Sequence, residues 1–253
     1  MKTIYKALTL CGNHVEVMDY PNGVKCGKKN KIQPVKGKRK QNKIRFSSIS
    51  RTKQKIRRLV WCNEEYLKTF VTLTFKENIT DLKIANKKFH TFIKRLTYRF
   101  PGFLYLGVPE FQKKGRVHYH ILTSIPYIAN EYLYKIWDNG FVTIRALNKI
   151  DNMAHYLTKY LSKSSESDDE RFFNKKKIFY SNNIHKPEII KNSKEISGYI
   201  EYFGSALKPI CSVNVEMDFV GQAVYSLYEI KPDHVFKETT REEFDELLKI
   251  MLG

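Results

Sequence analysis

His118-Tyr119-His120 sets two imidazoles two residues apart. On a β-strand, residues i and i+2 point to the same face, so both rings aim together while Tyr119 points away. Glu110 lies upstream, across the short turn Gln112-Lys113-Lys114-Gly115. A hairpin closing on that turn brings the carboxylate roughly opposite the histidine pair. Two imidazoles and a carboxylate form a mixed nitrogen and oxygen donor set. Such a set suits Mn2+ or Mg2+ with coordination positions left open, or zinc. The bland alternative is a pair of half-buried sheet histidines that bind nothing.

A second constellation is Tyr156-Leu157-Thr158-Lys159-Tyr160-Leu161-Ser162-Lys163, a tandem Tyr-Leu-x-Lys. On a helix, residues four apart share a face, so Tyr156 and Tyr160 stack one above the other and Lys159 and Lys163 form a neighbouring stripe. Phenols and ammonium groups are poor core material. They read either as an interfacial helix packing through its tyrosines, or as a tyrosine nucleophile whose cationic neighbours stabilise the phenolate and the phosphate it attacks.

These residues need a scaffold. Phe70 to Phe75 alternates apolar and hydroxyl residues and reads as a strand with one polar face. Thr80-Asp81 opens a helix carrying Leu82, Ala85, Phe89, Phe92, Ile93, Leu96 and Phe100 at three- and four-residue spacing, and Pro101-Gly102 stops it. Phe103 to Phe111 and Arg116 to Ser124 follow as two more strands. Ala129 to Asp138 is a helix closed by Asn139-Gly140, Phe141 to Leu147 a fourth strand, and Asp151 caps a helix to about Lys163. The order β-α-β-β-α-β-α is an α+β, ferredoxin-like or RRM-like plan: an antiparallel sheet with helices on one face and the other face open for a site.

In this order and in these positions the segments resemble three motifs of one family. Phe70-Val-Thr-Leu-Thr-Phe75 resembles the first, Gly115-Arg-Val-His118-Tyr-His120-Ile-Leu the histidine-hydrophobic-histidine second, and Tyr156-Leu-Thr-Lys159-Tyr160 the third. They mark rolling-circle replication initiators (Rep proteins) of the HUH endonuclease superfamily, and the paired tyrosines resemble its two-tyrosine phage and plasmid type. The resemblance covers about residues 68–165. It implies site-specific nicking and rejoining of single-stranded DNA at a replication origin through a 5′-phosphotyrosine. Tyr156 and Tyr160 would serve as alternating nucleophiles, with Lys159 on the transferred phosphate. His118, His120 and Glu110 would hold Mn2+ or Mg2+. A host helicase and polymerase are the implied partners, and no GxxxxGK[ST] loop is present for ATP.

Composition agrees with such a substrate. Forty-five Lys and Arg against 26 Asp and Glu give a net charge of +19 over 253 residues, which makes nucleic acid the default partner. From Lys25 to Arg58 there are fifteen Lys or Arg and no acid. Residues 1–60 therefore read as a basic N-terminal arm that contacts phosphate, with Lys38, Arg39, Lys40, Arg57 and Arg58 as contacts, joined by Arg116 and Lys163 near the site. Residues 61–165 are the nuclease core and 166–253 a C-terminal extension packed on it. Within the extension, 171–180 and 213–219 read as strands and 239–251 as an amphipathic helix. Hydrophobic residues at 42% supply a core and exclude a wholly disordered chain.

No apolar run approaches a membrane span, and Lys6 breaks up the only signal-like stretch. Cys11, Cys26, Cys62 and Cys211 lack paired spacing, which points to a reducing compartment, here a bacterial host cytoplasm. Two other readings keep part of this. An HUH transposase or relaxase would share the chemistry, although relaxases usually carry their tyrosine ahead of the histidines. A non-catalytic binding module on an RRM-like sheet would need exposed aromatics where motif 1 has Thr72 and Thr74.

Overall fold

A computed structural model describes residues 2–26, 46–112, 114–147, 157–158, 175–217 and 221–230. They fall into two compact units, one of residues 1–38 with 186–253 and one of residues 39–185.

The second unit carries the motifs. Its elements are α1 (Phe46–Trp61), β3 (Thr69–Thr74), α2 (Leu82–Arg99), β4 (Tyr105–Phe111), β5 (Val117–Thr123), α3 (Asn130–Trp137), β6 (Val142–Ala146) and β7 (Phe179–Tyr180). The sheet order is β6-β3-β5-β4-β7, antiparallel throughout. Counting the four central strands along the chain, that is fourth-first-third-second with α2 and α3 as the crossovers, the ferredoxin-like arrangement expected from the sequence. Asp81 caps α2 by accepting a hydrogen bond from the Lys83 amide at 2.6 Å. The predicted stripe Leu82, Ala85, Phe89, Phe92, Ile93 and Leu96 is buried. It packs on the sheet face formed by Val71, Leu73, Val117, Tyr119, Ile121 and Ile144. Phe89 stacks on Tyr119 with ring centroids 4.4 Å apart.

One glycine is sterically required. Gly140, at φ +144°, passes so close to β3 that a Cβ there would sit 2.3 Å from the Thr74 carbonyl oxygen and the Lys76 nitrogen. It lets the chain turn from α3 into β6 beside the end of β3.

The first unit corrects the expected arm. Residues 2–26 are a hairpin, β1 (Lys2–Cys11) and β2 (His14–Cys26), turning tightly at Gly12-Asn13. With β8 (Glu188–Ile190), β9 (Leu207–Met217) and β10 (Gly221–Ile230) it forms a sheet ordered β8-β1-β2-β10-β9. Helix α4 (Ser193–Phe203) buries Ile196, Tyr199 and Phe203 against Leu8, Val15, Ile190 and Ile230. Folded structure thus includes β1 and β2 instead of starting near residue 60, because alternating apolar residues such as Ile4 and Leu8 find partners contributed by the far end of the sequence. The expected extension 166–253 is correspondingly divided between the units.

In the C-terminal half, the strand expected over 171–180 is confined to Phe179–Tyr180 among the described residues, and that over 213–219 starts earlier, at Leu207. Of the helix expected over 151–163, Leu157 and Thr158 are described, and both are helical. The helix expected over 239–251 lies outside the described residues. No helix among the described residues is long and apolar enough to cross a membrane.

Candidate functional site

The sheet face opposite α2 and α3 carries the even-numbered residues of β3, β4 and β5. Register aligns Glu110, His118 and Thr74 in one cross-strand row, Val108, His120 and Thr72 in the next, and Leu106, Leu122 and Phe70 in the third. The two imidazoles therefore share one face, as the strand period requires, and Tyr119 lies on the other, its hydroxyl donating to Asn86 Oδ1 at 2.6 Å. Burial holds the Tyr119 phenol well above its ordinary range, which makes it unfit as a nucleophile.

The histidines are buried, at 6% and 5% exposure, but differently engaged. His120 Nε2 meets Glu110 Oε2 at 2.6 Å, a diagonal contact, since register sets Glu110 opposite His118. Its Nδ1 lies 3.3 Å from Thr72 Oγ1, and its ring stacks on Phe70 at 5.8 Å. His118 Nδ1 lies 3.3 Å from Thr74 Oγ1 and 3.4 Å from Gln112 Nε2. His118 Nε2 is buried and has no hydrogen-bond partner among the described residues. Burial, then the neighbouring His120, lower the His118 pKa from 6.5 to about 4, with Glu110 acting the other way. At neutral pH this ring is therefore uncharged.

The donors fit a divalent cation in kind: a neutral imidazole with a buried, unsatisfied nitrogen, a second imidazole, and a carboxylate. Both Nδ1 atoms sit beside threonine hydroxyls, which leaves the Nε2 atoms for a ligand. Among the described residues, however, no three such donors are grouped at metal-binding spacing. The His120–Glu110 contact closes two of them on each other.

Two further elements reach this face. Ile56, Leu59 and Val60 of α1 form a buried cluster with Phe70, Leu106, Val108 and Leu122, and the same cluster includes Leu157. Leu157 is fully buried, so the start of the tandem Tyr-Leu-x-Lys segment is anchored on the histidine side of the sheet.

Residues 68–165 match the family model for the replication-associated protein of the ORF2 type. The phasyl DNA replicon protein arp of Escherichia coli is 26% identical over 176 residues, and the match covers 54% of this chain and 60% of that protein. These findings support a Rep-type replication initiator. The chain spans 60% of that relative's length, and no solved structure matches.

In this Rep-type chain, Glu110, His118 and His120 come together as the sequence predicts, and Arg116 lies close enough to act on His118. Arg57 and Arg58 lie on α1, where the Arg57 guanidinium is 5.0 Å from the Trp61 ring centre. They belong to an ordered helix, not to an arm. Tyr156, Lys159, Tyr160, Lys163, Lys38, Arg39 and Lys40 fall outside the described residues. Sequence reasoning missed the contribution of α1. Its signal was Ile56, Leu59 and Val60 at helical spacing inside the basic run. It also missed the roles of Thr72 and Thr74, visible only as the polar face of motif 1.

Proposed function

We propose that the chain nicks and rejoins single-stranded DNA at a replication origin by tyrosine transesterification, initiating rolling-circle replication of a phage or plasmid in a bacterial cytoplasm. Host helicase and polymerase would extend the product. The observation that carries this reading is the burial of Leu157 on the sheet face that bears His118, His120 and Glu110, because Leu157 belongs to the tyrosine-bearing segment. The replication-associated family match over the same residues supports it.

In this mechanism the phenol oxygen of Tyr156 or Tyr160 attacks the scissile phosphorus. The bond from phosphorus to the 3′-oxygen breaks, the phenolic proton passes to solvent or a base, and the 3′-oxygen leaves as a hydroxyl for the polymerase. The 5′-phosphotyrosine conserves the phosphodiester energy, so a later 3′-hydroxyl reverses the step without ATP. Lys159 offsets charge on the transferred phosphate. His118, His120 and Glu110 would hold Mn2+ or Mg2+, which when bound polarises the scissile phosphate. Thr72 and Thr74 keep both rings turned so that Nε2 faces that ligand. The sheet offers little to the rival stacking module, since Phe70, the aromatic of β3 on this face, is buried and covered by His120.

The test is incubation of the full chain with a pool of single-stranded oligonucleotides and Mn2+, followed by a denaturing gel. A covalent adduct is expected from wild type. Tyr156→Phe and Tyr160→Phe should each retain single-turnover nicking but lose the coupled cut-and-rejoin cycle, and the double variant should give no adduct. Absence of adduct from wild type, or its persistence in the double variant, overturns the mechanism.

A further inference from the structure

We propose that Phe141 is a base-stacking platform at the edge of the site and Arg145 its backbone contact, together positioning the nucleotides that flank the reacting phosphate. The inference rests on the single-stranded DNA reading above and extends it to residues with no part in the chemistry.

Register carries the argument. β6 pairs with β3 as Val142 to Leu73, Thr143 to Thr72, and Arg145 to Phe70. The Thr74 amide donates to the Phe141 carbonyl at 2.8 Å, which continues the same register by one residue. Phe141, Thr143 and Arg145 therefore lie on the histidine face, each extending one of its three cross-strand rows. The first row then reads Glu110, His118, Thr74, Phe141. Its members are joined by contact as well as by register, since Thr74 Oγ1 sits 3.3 Å from His118 Nδ1. With strands about 4.8 Å apart, Phe141 lies about 10 Å from His118, two strands across.

The chemistry of this edge is that of a single-strand track. β6 is the outermost strand of its sheet. Val142 and Ile144 supply its core contacts, whereas Thr143 and Arg145 are exposed. Phe141 is 69% exposed, so it adds little to the core. A lone exposed phenylalanine needs no explanation. One aligned with the candidate metal ligands, next to a hydroxyl and followed four residues later by a guanidinium, offers a base a π-face and its backbone a cation. The net charge of +19 favours the same occupant.

The experiment measures binding of the full chain to fluorescein-labelled oligo(dT) in EDTA, by anisotropy across a salt series, so that cleavage plays no part. Phe141→Ala should weaken binding about tenfold, the scale of removing one base stack, without changing the salt slope. Phe141→Trp should bind as wild type, and Phe141→Leu, apolar but lacking a π-face, should behave as the alanine variant. Arg145→Gln should lower the salt slope by about 0.7, one phosphate contact on a single strand. Wild-type affinity in Phe141→Ala, equal affinity in the leucine and tryptophan variants, or failure of wild type to bind oligo(dT) overturns the platform. Binding that depends on Phe141 in a protein that forms no covalent adduct would overturn the nicking mechanism and leave the platform standing. The two readings therefore fail separately.

Discussion

His118 and His120 stand two residues apart on one strand, yet their surroundings assign them different states. His120 is closed onto Glu110 at 2.6 Å, whereas His118 keeps a buried nitrogen with no hydrogen-bond partner among the described residues and a pKa pushed down to about 4. A buried polar atom without a partner costs free energy. A ligand that took up the His118 nitrogen would offset that cost, and one that also drew on His120 and Glu110 would exchange their mutual contact for its own. His118→Ala and His120→Ala should therefore each reduce adduct formation by about a hundredfold or more, the scale of removing one charge-stabilising group. Binding to single-stranded DNA in EDTA should stay near wild type, because it rests on the basic surface. Equal loss of both would assign the pair a structural role. Glu110→Ala removes a donor and also releases His120, so excess Mn2+ should partly restore its activity in a metal titration. No recovery at any Mn2+ concentration would exclude Glu110 from the ligand set.

At the scale of elements, α1 shows how packing and function share a helix. Ile56, Leu59 and Val60 are buried with Phe70, Leu106, Leu122 and Leu157, while Arg51, Lys53, Lys55, Arg57 and Arg58 provide cations without a single acid. Leu59→Ala should cost about 2–5 kcal/mol in urea unfolding and lower adduct formation as well, because Leu157 belongs to the same cluster. Lys55→Gln on the exposed side should shift stability by no more than about 0.5 kcal/mol. This helix was not legible in the sequence, since its apolar signal is three residues deep in a run of charge. The elements that were legible, α2 and β3 to β6, carry their periodicity across their whole length. The hairpin of β1 and β2 stayed hidden for a different reason: β2 pairs with β10, whose residues come some 200 positions later, and a single strand pattern does not reveal so distant a partner. At the site, strand alternation and hairpin closure were enough to bring Glu110, His118 and His120 together. The diagonal choice of His120 over His118 by Glu110 depends on side-chain rotamers, which spacing does not encode.

For the whole molecule, the question is what a net charge of +19 contributes. Fifteen of the 45 cations lie between Lys25 and Arg58, and the last five of them ride on α1, on the histidine side of the sheet. Charge arranged in this way attracts a phosphate backbone without reading its bases, and it acts through release of counterions, so its signature is salt dependence rather than sequence preference. Neutralising Lys38, Arg39, Lys40, Arg57 and Arg58 together should lower the slope of log affinity against log salt by about 0.7 for each phosphate no longer neutralised, or about 3.5 if all five touch phosphate. The weakening should be the same for every oligonucleotide sequence. Nicking at saturating DNA should change little, since none of these residues belongs to the reacting group. Arg57 also packs on Trp61, so thermal unfolding of the variant must match wild type for the comparison to hold. An unchanged slope in a fully folded variant would mean that these charges are merely solvated. A slope that falls together with the nicking rate at saturation would mean that the basic run orients the scissile phosphate as well as attracting the strand.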